Sequence, residues 1–209
     1  MMNEPAKLRY DQGCLGAHAL NAVGDRWALL VVRELMFRPK RFQEIRAGLP
    51  DVTAAVLTTR LRQLQGAGIV VAEAGAYALT PLGQGLLPVL ISLCVWALRL
   101  PGHDPLRFIS PSALMISMLS TQAPGAGRFV IGFDMGERFT ARMDGDLRIT
   151  AGTDADEGAV LHGTGNHLAA AVYGCASLDL LEQQGFLSVT GDRAAAQDFV
   201  AHFSLLPKP

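Results

Sequence analysis

Cysteine is scarce. The three in this 209-residue chain, Cys14, Cys94 and Cys175, are too few and too far apart for a disulfide framework, and none stands in a CxxC or Cys/His spacing suited to zinc. Scattered thiols fit a reducing compartment, so a cytoplasmic location is expected. A dominant charge is missing too, with 18 Lys and Arg against 19 Asp and Glu. The longest apolar run, Leu86 to Leu100, falls short of the ~20 residues that span a bilayer and contains Pro88, so no membrane insertion is expected. The opening MMNEPAKLRYDQG lacks the apolar segment of a signal peptide. Catalytic signatures are absent as well. There is no GxSxG, HExxH or Walker pattern, and Gly163-Thr164-Gly165 lacks the third glycine of a dinucleotide loop. His162 and His167 have no third ligand nearby in sequence. A non-enzyme with no cofactor and no metal is the expectation.

What is present divides near Leu100. Residues 1–100 carry eleven Lys and Arg against seven Asp and Glu, whereas 101–209 carry seven against twelve. A basic half joined to an acidic half suggests that only the first meets a polyanion. Pro101-Gly102-His103-Asp104-Pro105 is a cluster of breakers, so the expected division is a first domain over 1–100, a linker over 101–110 and a second domain over 111–209.

In the first half, helical spacing runs from Cys14 to Met36 with a break at Gly24-Asp25, and Arg41 to Leu49 gives a short helix. A further helix follows Thr53, a candidate N-cap, with Val56, Leu57, Leu61 and Leu64 turned inward and Gly66 and Gly68 closing it. Its other face carries Ala54, Ala55, Thr58, Thr59 and Arg62, small or hydrogen-bonding side chains of the kind a helix needs to lie deep in a DNA major groove. Lys40 and Arg41 stand at the start of the preceding helix, where cations and free N–H groups favour a phosphate. Two short strand-like segments around Ala74-Gly75 complete a winged helix-turn-helix pattern. The candidate DNA-binding residues are therefore Lys40, Arg41, Thr53, Ala54, Thr58, Thr59 and Arg62. The 86–100 helix is apolar all round, which points to burial on more than one side.

Cys14 with the helix after it, Gly24-Asp25-Arg26-Trp27, Glu34-Leu35, Arg41-Phe42, Arg60-Leu61, Gly68, Tyr77-Ala78-Leu79-Thr80-Pro81-Leu82-Gly83, Leu87-Pro88 and Trp96 together resemble the HxlR-type transcriptional regulators. The resemblance covers about residues 10–100. It implies a cytoplasmic homodimer that binds double-stranded DNA, with the helix after Thr53 as reader and the N-terminal and 86–100 helices as dimer contacts. Some members sense oxidants through a cysteine placed like Cys14. That residue is thus a candidate redox sensor, with Arg9 and His18 as nearby basic groups, or else a buried or inert thiol.

In the second half, Pro111 to Thr121 reads as an amphipathic helix with Leu114, Met115, Met118 and Leu119 on one face. Period-two segments follow at 128–135, 138–143 and 147–151, around turns at Gly136-Glu137 and Asp144-Gly145-Asp146. Val160 to His162 and Phe186 to Thr190 read as further strands, and 166–174, 178–184 and 193–203 as helices. A mainly antiparallel sheet with helices gathered on one face is an α+β arrangement. The Asp144-Gly145 turn, Tyr173-Gly174 and Gly185-Phe186-Leu187-Ser188-Val189-Thr190-Gly191-Asp192 before a last helix resemble the SCP2-like (sterol carrier protein type) domain. That resemblance implies an apolar cavity between sheet and helices for a small apolar or lipid-like ligand. Candidate lining residues are Met115, Met118, Phe129, Ile131, Phe133, Phe139, Met143, Leu168, Val172 and Phe199.

Two readings follow. The first is a dimeric DNA-binding transcriptional regulator controlled by an apolar effector in its second domain. The alternative is a lipid-binding or carrier protein that uses the helix-turn-helix module for dimerisation, which Glu73 at the wing tip would suit.

Overall fold

The computed structural model describes residues 10–123, 127–174 and 176–205. Helix α1 (Leu15–Val23) ends at Gly24, and the Asp25 carboxylate accepts the Trp27 N–H at 2.9 Å just before α2 (Ala28–Leu35). Then come α3 (Phe42–Ala47) and α4 (Ala54–Gly66). Thr53 caps α4 as the sequence predicts, its hydroxyl accepting the Val56 N–H at 3.3 Å. Strands β1 (Val70–Glu73) and β2 (Ala76–Leu79) form the antiparallel wing around Ala74 and Gly75, both at positive φ. Lys40 adds a third edge by exchanging two backbone hydrogen bonds with Tyr77, at 3.0 and 2.8 Å. The short α5 (Pro81–Gln84) and then α6 (Leu87–Ala97) complete this part.

Its core holds Ala28, Val31, Leu35, Ile45, Leu57, Leu61, Leu64, Val70 and Leu90. Each fully buried leucine contributes about 1.5–3 kcal/mol relative to exposure, so the Leu57, Leu61 and Leu64 stripe fixes α4 firmly. Val56 does not belong to that stripe. It is 38% exposed, because it falls on the outward side of the turn that Leu57 buries.

The second part is a five-stranded sheet in the order β5-β4-β3-β6-β7, built from β3 (Arg128–Asp134), β4 (Arg138–Asp144), β5 (Asp146–Ala151), β6 (Ala159–Gly163) and β7 (Leu187–Gly191). All neighbours are antiparallel except β3 and β6, which run parallel. Ile131, Phe133, Phe139, Ala141, Met143 and Leu161 alternate inward to meet α8 (Gly165–Tyr173), α9 (Leu178–Gln183) and α10 (Arg193–Val200). The opposite face is polar. There Glu157 accepts the Thr140 hydroxyl at 2.6 Å and pairs with Arg138 at 2.9 Å. The last helix stops at Val200, short of the expected Phe203.

Helix α7 (Pro111–Thr121) is not the one-sided amphipathic helix its sequence suggests. Leu114, Met115 and Met118 enter the sheet core, whereas Ile116 enters the core of the first part, so α7 is clasped between the two. Phe37, from the first part, packs edge-on against Phe139 of β4 with ring centres 5.5 Å apart.

The ten side chains expected to line a cavity are instead core. Nine are buried, and the partly buried Phe129 joins Phe133 and Phe203 in a cluster of rings around Phe199. A cavity of about 940 Å³ lies elsewhere, bounded by residues 102–110, α7 and α8, and none of the ten lines it.

Candidate nucleic-acid interface

Helix α4 presents an outward face made of Thr53, Ala54, Ala55, Thr58 and Arg62, all exposed, with Thr59 half-buried beside them. The helix contains no acidic residue. The Thr58 hydroxyl donates to the Ala54 carbonyl at 2.8 Å, which leaves its oxygen able to accept. Arg62 has no ion-pair partner among the described residues. Arg60, two positions earlier, is buried against Asp25 and Gln63 and is structural.

Of the other expected contacts, Arg41 is exposed at the start of α3 and Arg46, which the sequence reading passed over, is exposed on the same helix. The N-terminus of α3 already has its anion. The Glu44 carboxylate accepts the Arg41 N–H at 2.7 Å and an Arg38 N–H at 2.8 Å; the backbone hydrogen bond, with Arg38 behind it, holds the Glu44 carboxyl below the usual range. A phosphate placed there would have to displace it.

Lys40 is the clearest correction. Only 1% exposed, it does not reach toward solvent or a phosphate. Its ammonium contacts the Glu34 carboxylate at 3.2 Å, the Ser112 hydroxyl at 3.0 Å and the Glu137 carboxylate, in the β3–β4 turn, at 2.8 Å. Glu34 is fully buried and is also held by Arg33 at 2.8 Å and by the Ser110 hydroxyl at 2.6 Å. Gly48 makes room for it, since a Cβ there would collide with the Glu34 carboxylate. This network ties the helix-turn-helix part to the sheet part. A lone carboxylate near the end of the apolar run ALLVVREL was the one sequence signal of it.

Cys14 is exposed in the single chain, and its sulfur accepts the Ala17 N–H at 3.4 Å as the N-cap of α1. Arg9, considered beside it, lies outside the described residues. His162 and His167 stand apart: His162 meets Asp134 and Thr190 on the outer sheet face, and His167 lies against the Phe186 ring. Among the described residues no group of His, Cys, Asp and Glu is arranged to hold a metal, and no helix is long and apolar enough to cross a membrane.

Within the single chain the apolar helix α6 buries only Leu90 fully. Val89, Leu93, Val95 and Trp96 are exposed, Trp96 by 59%, and on α1 Leu15 is 86% exposed and Leu20 also stands out.

Comparison with known proteins places these elements. The HxlR-like helix-turn-helix family matches residues 22–103. An uncharacterized HTH-type transcriptional regulator of Methanothermobacter thermautotrophicus is 33% identical over 93 residues, covering 41% of this chain and 71% of the relative. The uncharacterized regulator YvaP of Bacillus subtilis is 35% identical over 86 residues, covering 38% of this chain and 80% of its own length. Among solved structures, the quinone-bound YodB of B. subtilis is 34% identical and covers 40% of this chain and 97% of that one, with a TM-score of 0.38. With the α4 face, the wing and α6 all inside the matched region, the chain belongs to the HxlR-like helix-turn-helix family.

Proposed function

We propose that this protein is a cytoplasmic, homodimeric transcriptional regulator that reads double-stranded DNA with α4. The observation that carries the reading is the outward face of α4, small, hydrogen-bonding and free of acid, with Arg62 unpaired among the described residues, held on a rigid leucine stripe within an HxlR-like module. Its relatives are named as HTH-type transcriptional regulators. Thr53, Ala54, Thr58, Thr59 and Arg62 face the groove, and Arg41 and Arg46 supply backbone contacts from α3. The uncovered apolar residues of α1 and α6 form the dimer contact, because a patch of that kind is costly to leave in water. Two-fold symmetry then sets two α4 helices about one DNA turn apart, ~34 Å. The sheet part, whose α+β layering agrees with the SCP2-like resemblance, senses a small apolar effector, and Cys14 is an exposed thiol through which oxidants could act.

The test is recovery of genomic DNA fragments by the purified protein at moderate salt. Selective recovery of an operator that Arg62→Ala weakens with base-specific effects supports the role; recovery without sequence preference refutes it.

A further inference from the structure

The cavity of about 940 Å³ lies within the range of small-molecule sites and borders both parts of the chain. Ala113 and Ile116 of α7, Ala170 of α8 and Phe186 make much of its wall apolar. Its polar groups are more telling. Burial raises the Tyr173 hydroxyl and Cys94 thiol pKa values further above neutral, so both stay uncharged and neither repels an anion. Asp104, at the rim, is beside Arg107 at 3.4 Å. Arg33 uses Nε and Nη2 on Glu34, and no hydrogen bond of its Nη1 is found among the described residues.

We propose that this cavity binds a small apolar molecule ending in a carboxylate, its apolar body against α7 and α8 and its carboxylate on Arg33, in competition with Glu34. Glu34 survives that competition because Lys40 and Ser110 still hold it. The same competition gives the ligand a route to the DNA-reading part, an arm that rests on the regulator reading. Ser110 and Arg33 line the cavity and both touch Glu34, Glu34 touches Lys40, and the Lys40 backbone is bonded to the wing at Tyr77 immediately before α3.

Titration calorimetry of the full chain with decanoate, below its micellar range and without DNA, tests the site. One decanoate per chain is expected, with decan-1-ol binding at least about tenfold more weakly at pH 7. Ala170→Trp, an exposed wall position, should weaken decanoate about tenfold or more while leaving circular dichroism and melting unchanged. Asp146→Asn, exposed on β5 and outside the cavity wall, should leave it unchanged. Arg33→Gln should erase the preference for decanoate over decan-1-ol. Equal affinity of Ala170→Trp and the parent, equal affinity for acid and alcohol, or no saturable binding would each overturn the proposal. Because no DNA is present, the two readings fail separately: decanoate bound but no operator recovered defeats the regulator, and an operator recovered but no decanoate bound defeats the cavity assignment.

Discussion

Lys40 shows how a residue's charge can mislead about its partner. A lysine at a helix start looks like a phosphate contact, yet here two carboxylates and a hydroxyl surround it out of solvent. Removing one member of a buried ion network leaves its partner uncompensated, so Lys40→Ala should lower unfolding free energy by about 3–5 kcal/mol in a denaturant titration. A phosphate contact would instead leave stability unchanged and weaken DNA uniformly. Ala74 is the non-glycine residue at positive φ among the described residues, at the first position of the wing turn, where asparagine is favoured before glycine. Ala74→Asn should therefore raise stability by on the order of 0.5–1 kcal/mol in the same titration. Tyr173 offers a pH test. Burial pushes its hydroxyl to about 12, while the unfolded chain ionises near 10. Between those values the unfolded state has already released its proton, so the Tyr173 contribution, complete below pH 10, is lost as pH rises toward 12. Melting temperatures measured across that window should fall more steeply for the parent than for Tyr173→Phe.

At the scale of elements, local signals were read well wherever the chemistry is local. The Thr53 cap, the Gly24-Asp25 break and the Ala74-Gly75 turn depend on residues within a few positions of one another, and all stand where the spacing put them. Helix α7 departs from its one-sided reading. Periodicity tells which residues are apolar but not what covers them, so α7 packs into two cores while the all-apolar α6 keeps an open side within the single chain. If the open side of α6 is the dimer contact, Leu93→Asp should turn the protein into a monomer by light scattering while keeping its helix content; a dimer of unchanged stability would put the contact elsewhere.

At the scale of the whole molecule, the junction between the two parts was the least legible feature. Glu34 and Ser110 are 76 residues apart, and no pattern in one stretch announces a partner in the other. The expected pocket failed for a related reason. Met115, Phe133 and Phe199 are the right residue types for a cavity wall, but the same types fill a core when helices close on a sheet, and the space opened instead beside the 102–110 segment. The consequence is a molecule in which one buried charge network joins the helix-turn-helix part to the sheet part and borders the cavity. The role of α4 rests most directly on one comparison, the binding of a genomically selected operator by the parent and by Arg62→Ala across a salt series. Tight, salt-dependent, sequence-selective binding by the parent, with Arg62→Ala weaker by about 1–3 kcal/mol and less discriminating, is the expected result; equal affinity of the parent for operator and random DNA, or an Arg62→Ala variant indistinguishable from the parent, would contradict it.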